Sequence, residues 1–451
     1  MENITIEACA AEGKALTHWN GVVVFVPFAV PGDVVDIRVT KKSKNYYEGF
    51  VERIVTPSKD RLEPFCQHFG VCGGCKWQPL PYPMQLEAKR QQVYDQLVRI
   101  GHLNVPEIRP TIPSDKIKYY RNKLEFTFSS KRWLLKDEDI ESVPENDRMG
   151  LGFHVGKFFD KVLDIKHCYL QKDPSNDIRL FIKKYAVENG LDFFDIRQNV
   201  GYVRNMFIRT TDTGDLMVIM CFFYENREDR EKMLDAIAEA FPQITSLYYI
   251  INNKLNDSIG DQECILYKGE PTIRETMESL TFRIGPKSFY QTNSEQAYKL
   301  YSVARDFAEL TGNEIVYDLY TGTGTIAQFV SGKAAKVVGI EYVPEAIEDA
   351  KVNAAGNGIT NCEFFAGDMK DVLRRDFINE HGQPDVIILD PPRAGIHPDV
   401  AKVILEASPA RMVYVSCNPA SQARDLALFA DKYDIAYLCA PTPSTSRTSA
   451  H

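Results

Sequence analysis

"EIVYDLYTGTGTIAQFVS", residues 314–331, reads as a strand, a glycine-rich turn and a helix in direct succession. Gly322 and Gly324 allow the chain to turn tightly and a ligand to approach the backbone, as at the first crossover of nucleotide-binding parallel sheets. The third glycine of the dinucleotide fingerprint is missing, which disfavours a pyrophosphate ligand. A second strand in "KVVGIEYVPEAIEDAKVNAAGNG" (336–358) ends at Glu341, and a helix follows from Pro344 to about Gly356. Glu341 lies about 20 residues past the glycines, the spacing at which a carboxylate accepts both ribose hydroxyls. Two more strands, "CEFFAGD" (362–368) and "DVIILDPPR" (385–393), end at Asp368 and Asp390. Strand and helix thus alternate from about residue 276 onward, which predicts a doubly wound α/β sheet with Asp318, Glu341, Asp368 and Asp390 along one edge.

The next strand closes with a cysteine. In "RMVYVSCNPASQARD" (411–425) a β-type apolar run leads into Cys417, and Asn418 with Pro419 supplies an N-cap and a first helical residue. Cys417 therefore sits on a strand-to-helix connection, facing a helix N-terminus that would stabilise a thiolate.

Upstream, residues 1–59 carry short β-rich segments such as "GVVVFVPFAVPGDVVDIRVT" (21–40) broken by Pro-Gly and Gly-Asp signals, which predicts a small antiparallel OB-like barrel. Within it Lys41, Lys42 and Lys44 precede Tyr46 and Tyr47, a mix suited to phosphate contact and base stacking. Residues 60–275 alternate strand-like pieces with amphipathic helices and form a central α+β domain. It opens on "FCQHFGVCGGCKWQ" (65–78), where Cys66, Cys72 and Cys75 stand in a C-x5-C-x2-C pattern with Cys168 as a distant fourth. Four thiolates suit tetrahedral zinc or a four-iron cluster, and the spacing alone is compatible with both.

Composition narrows the class. The chain has 451 residues, a net charge of −9 and ten cysteines. Its length predicts two or three domains, and its acidity gives no general affinity for nucleic acid, so any such contact rests on local patches. No run approaches a membrane span and the N-terminus lacks signal-peptide shape, so a cytoplasmic protein with metal-binding or catalytic rather than disulfide-bonded cysteines is expected.

Together "SFYQTN" (288–293), "YDLYTGTGT", "GIEYVPEAI", "LDPPRAG" and "VYVSCNPA" resemble the RNA uracil-C5 methyltransferases, in particular the branch acting on 23S ribosomal RNA. The resemblance implies an N-terminal TRAM barrel (1–59), a central domain carrying an iron–sulfur cluster (60–275), and a Rossmann-like S-adenosylmethionine-dependent domain (276–451). It implies that Gln291, Tyr320, Glu341 and Asp390 contact the methyl donor beside Gly322 and Gly324, that Asp368 reaches the adenine, and that Arg393 lines the uracil pocket. Cys417 would be the nucleophile. It also favours [4Fe-4S] over zinc on Cys66, Cys72, Cys75 and Cys168, and an RNA partner with no obligate protein partner. The transfer-RNA branch is the nearest alternative, expected to lack the barrel and the cluster. Methylation of an amino group is a further alternative, one that needs no nucleophilic cysteine. Family members end on a segment with a glutamate that acts as proton-abstracting base, whereas this chain reads "YDIAYLCAPTPSTSRTSAH" (433–451) with no glutamate after Glu406. The pattern is lost near Leu438, as in a frameshifted or truncated coding sequence, and a binding protein without turnover is the corresponding alternative.

Overall fold

The computed structural model describes residues 1–135, 138–139, 141–144, 147–156 and 158–441. Three sheets organise it. The first has six strands within residues 4–56 and is antiparallel except for one parallel pairing, Val23–Phe25 with Tyr46–Glu48. Ile6, Val24, Val26, Val35 and Ile37 form its apolar core. The predicted all-antiparallel order fails at that one pairing because Val22–Pro27 is flanked by Lys14–Trp19 on one side and Tyr46–Thr56 on the other.

A seven-stranded sheet runs from Val162–Asp164 to Ile265–Gly269, with Lys123–Ser129, Val203–Thr210 and Leu216–Phe222 at its centre. The two central strands Val203–Thr210 and Leu216–Phe222 are buried along their whole length, because both faces are covered. Helices Ser175–Glu188 and Arg227–Ala240 cover one face through Ile178, Ile182, Met233 and Ile237. The opposite face, through Phe207, Ile219 and Ile250, joins the core of the following domain through Tyr301 and Val316. Burial on this scale, at about 25 cal/mol per Å² of apolar surface, welds the two sheets into one packed body.

The third sheet is parallel, five strands in the order Cys362–Ala366, Lys336–Glu341, Ile315–Leu319, Val386–Leu389, Arg411–Tyr414. The order reverses at Ile315–Leu319, which has Lys336–Glu341 on one side and Val386–Leu389 on the other. Crossover chains leave in opposite directions there, opening a crevice beyond the carboxyl ends of the strands. Cys439–Pro441 adds a short strand parallel to Arg109–Ile112, where the sequence predicts no regular element. Local pattern was uninformative because the strand is a pairing between distant segments. The tail from 442 onward lies outside the described residues. Among the described residues no helix is long and apolar enough to cross a membrane.

Candidate active site

The glycine turn follows Ile315–Leu319 at the reversal. Tyr320, Gly322 and Gly324 all have positive φ, 66°, 56° and 73°. A β-carbon on Gly324 would come within 2.8 Å of the Phe364 ring and 2.9 Å of Ala350, so the turn needs glycine for both conformation and space. One on Gly322 would meet nothing within 4 Å: the crevice is open above the turn. Glu341 braces it from the next strand, its two carboxylate oxygens accepting from the amides of Gly322 and Val343, each at 3.1 Å.

Asp318 differs from the expectation of an edge carboxylate. It is fully buried beneath the turn, where one oxygen accepts from the Thr321 hydroxyl and the Ala327 amide. The other oxygen has no partner. Burial, reinforced by the charges of Asp390 and Glu341, pushes its carboxyl up to about 7. Asp390 ends the neighbouring strand and burial raises it, too, to about 7. Asp368 caps the short helix Met369–Val372 and pairs with Lys370 at 3.3 Å. Tyr320 lies among these acids, its phenol pushed up to about 12 by burial and then by Asp425, Asp368 and Glu341. Gln291 arrives from the loop before helix Ser294–Ala308 and meets the buried Tyr301 hydroxyl, which also feels Asp390 and Asp318.

Cys417 and Asp390 follow neighbouring strands that pair in parallel. Leu389 is opposite Tyr414, and the Val415 amide continues the ladder to the Leu389 carbonyl at 2.7 Å. Cys417 is exposed on the following connection. Asn418 caps helix Pro419–Ala427 through the Ala420 amide, and its side-chain nitrogen donates to the Arg393 carbonyl at 3.0 Å. Tyr320, Gly322, Gly324, Glu341, Asp368, Asp390, Arg393 and Cys417 thus follow the carboxyl ends of strands of one sheet, whereas Gln291 lies on the loop before helix Ser294–Ala308.

Sequence reading missed Asp425. This fully buried carboxylate accepts from the Ile396 amide at 2.8 Å and the Tyr414 hydroxyl at 2.7 Å, while Arg424 pairs with its other oxygen and donates to the Ala394 carbonyl. Helix Pro419–Ala427 is thereby clamped to the loop after Pro392. Its only sequence signal is an acid in the last turn of a helix, which usually marks a solvated face.

The other predicted groups occupy different domains. Lys41 donates to the Tyr46 hydroxyl at 3.1 Å and lies 5.4 Å from that ring, Lys42 lies 5.8 Å from the Tyr47 ring, and Lys44 is exposed in the turn between their strands. Each of those rings therefore has a lysine over it. Cys66, Cys72, Cys75 and Cys168 all line one partly open pocket with Phe153 and Ile165. Cys168 is buried, and its thiol is pushed up to about 11 by burial and, further, by Cys75 and Cys66 nearby. Among the described residues no three Cys, His, Asp or Glu side chains converge on a single-ion site. None of the ten cysteines forms a disulfide.

Two family models match: tRNA (uracil-5-)-methyltransferase over residues 208–439 and the TRAM domain over residues 2–51. An uncharacterised RNA methyltransferase of Porphyromonas gingivalis is 59% identical over 93% of this chain and 91% of its own length. One of Bacteroides thetaiotaomicron is 57% identical over 94% of each. Among solved structures, the Pyrococcus abyssi tRNA (uracil-54, C5)-methyltransferase in complex with S-adenosyl-L-homocysteine superimposes with a TM-score of 0.75 at 27% identity, covering 99% of this chain and 97% of that one. That coverage corrects one expectation: a transfer-RNA enzyme can match this chain along its whole length, N-terminal segment included.

Proposed function

This chain belongs to the tRNA (uracil-5-)-methyltransferase family, and from that premise we propose that it methylates carbon 5 of a uracil in 23S ribosomal RNA through a covalent adduct on Cys417. The observation that carries the reading is the adjacency of the Cys417 connection and the Asp390–Arg393 loop, tied by Asn418.

S-adenosylmethionine, when bound, supplies the methyl group. The crevice suits it: space is open over Gly322, Glu341 stands at the end of the second strand for the ribose, and Asp368 stands at the end of the third for the adenine. Gln291, Tyr320 and Asp390 would complete the donor site. The Cys417 thiolate adds to carbon 6 of the uracil, shifting electron density to carbon 5 and making it nucleophilic. After transfer the carbon-5 proton passes to water, the C–H electron pair re-forms the 5,6 double bond, and the carbon 6–sulfur bond breaks to return the Cys417 thiolate. Arg393 would line the pocket for the base, which must leave its stack because carbon 6 is inaccessible in a helix.

The pocket bearing four cysteines fits a thiolate-bound metal group. Thiolates around one zinc stand about 4 Å apart, given Zn–S bonds of about 2.3 Å. All four positions are cysteine and share one pocket, which suits either zinc or a four-iron cluster, and the resemblance to the ribosomal-RNA branch favours [4Fe-4S]. It would be held by Cys66, Cys72, Cys75 and Cys168, joining the "FCQHFGVCGGCKWQ" loop to the strand region before helix Ser175–Glu188. Lys41, Lys42 and Lys44 on the TRAM domain would contact RNA phosphates, and the protein would work in the cytoplasm.

A transfer-RNA substrate is the second reading, favoured by the full-length likeness to the Pyrococcus abyssi enzyme. Incubation with 23S and transfer-RNA transcripts, followed by nucleoside mass spectrometry, separates the two. The proposed chemistry predicts 5-methyluridine and a gel-shifted adduct that vanish in Cys417→Ala. Methylation surviving that substitution, or appearing on an exocyclic amine, would sink it.

A further inference from the structure

The methyl-donor crevice is built on one domain, but the loop that carries Gln291 is fastened by another. Asn122 precedes the central-sheet strand Lys123–Ser129. Its side-chain nitrogen donates to the Gln291 carbonyl at 2.7 Å and to the Ser294 hydroxyl at 3.0 Å. The Asn122 amide donates to the Thr292 carbonyl at 2.8 Å, and its own carbonyl accepts from Thr210 at 2.8 Å, inside the central sheet. The Ser294 hydroxyl in turn donates a hydrogen bond to Glu275 at 2.7 Å, and the buried Glu275 carboxylate also accepts from the Asp212 amide of the central domain. Two consecutive loop residues, Gln291 and Thr292, and the first residue of helix Ser294–Ala308 are thus held by one asparagine.

The side chain of Gln291 leaves this fastening toward the buried Tyr301, whose helix packs against strands Val386–Leu389 and Arg411–Tyr414. A loop of this kind, short and polar, would otherwise sample several backbone states, and ordering it on ligand binding would cost affinity. We propose that Asn122 is a positioning residue for the methyl donor: the central domain completes the donor site by fixing the Gln291 loop. The proposal rests on the reading of the crevice as an S-adenosylmethionine site. The same segment borders a polar cleft with Lys116, Arg121 and Lys172, so the element that fixes the donor loop also belongs to the surface that an RNA could touch.

The test uses full-length protein and compares wild type, Asn122→Ala and the isosteric Asn122→Asp by calorimetric titration with S-adenosylhomocysteine and by steady-state methylation. Loss of one buried donor predicts a rise of about tenfold in donor Kd and KM, with kcat at saturating donor falling less than threefold. Asn122→Asp keeps the side-chain shape and both backbone bonds. It loses both side-chain donations at neutral pH, so its donor Kd should rise at least as far as that of Asn122→Ala, whereas a general packing defect would spare the isosteric variant. Unchanged donor Kd in both variants overturns the positioning role while leaving the crevice reading intact. Failure of wild type itself to bind S-adenosylhomocysteine overturns both.

Discussion

The side-chain amide of Asn418 does two things at once: its oxygen accepts from Ala420 at 3.1 Å and its nitrogen donates to the Arg393 carbonyl at 3.0 Å. One residue therefore starts the helix behind Cys417 and ties that helix to the loop proposed to hold uracil. The two jobs separate by substitution. Asn418→Asp keeps the cap, so thermal stability should stay within a few tenths of a kcal/mol, but it cannot donate to Arg393 and methylation should fall about tenfold. Asn418→Ala should lose both, with about 1 kcal/mol of stability gone. Calorimetry and initial rates on the two variants check this; equal rates in Asn418→Asp and wild type would remove the tether from the mechanism.

Gly395 lies against the buried Asp425. Its φ is +83°, and an added β-carbon would stand 2.1 Å from the Asp425 carboxylate. Gly395→Ala should cost about 2–3 kcal/mol from backbone strain and overlap combined, lowering Tm by several degrees. Part of that overlap disappears when Asp425 is shortened, so Gly395→Ala with Asp425→Ala should be less damaging than the sum of the singles. Strict additivity in chemical denaturation would mean that the two residues do not share a clamp.

These contacts mark the boundary of what the sequence could reveal. Helix Pro344–Gly356, the Asn418 cap and the parallel sheet were legible because they depend on local period, capping chemistry and spacing. Gly322, Gly324 and Glu341 were legible for the same reason, since the turn and the acid recur at a fixed separation along the chain. Asn122, Glu275 and Asp425 were not. Each acts by meeting a distant segment: Asn122 bonds residues 169 and 172 positions away. A single sequence carries no trace of such a pairing, and a lone Asn or Asp resembles any solvated residue. Asp318 misled in the opposite direction, because position near a strand end predicts the edge, whereas the tight turn folds back over the side chain and buries it.

Asp318 and Asp390 also set a pH dependence. Both carboxyls, held at about 7 in the folded protein, start from an ordinary value of 3.8. Between those values the folded state keeps protons that the unfolded chain has released, so stability is fully present below about pH 4 and falls as pH rises through 7. Several other acids oppose this, notably Glu138 and Glu314, lowered to about 2 by Arg132 and by Thr311 respectively, but their stabilisation is already complete above about pH 5. From pH 5 to 8 the net contribution of the buried pair should therefore be a loss, on the order of a few kcal/mol. Asp318→Asn removes one titrating group while keeping an oxygen for Thr321 and Ala327, so its Tm should fall less between pH 5 and 8 than that of wild type. A slope as steep in Asp318→Asn as in wild type would place the titration elsewhere.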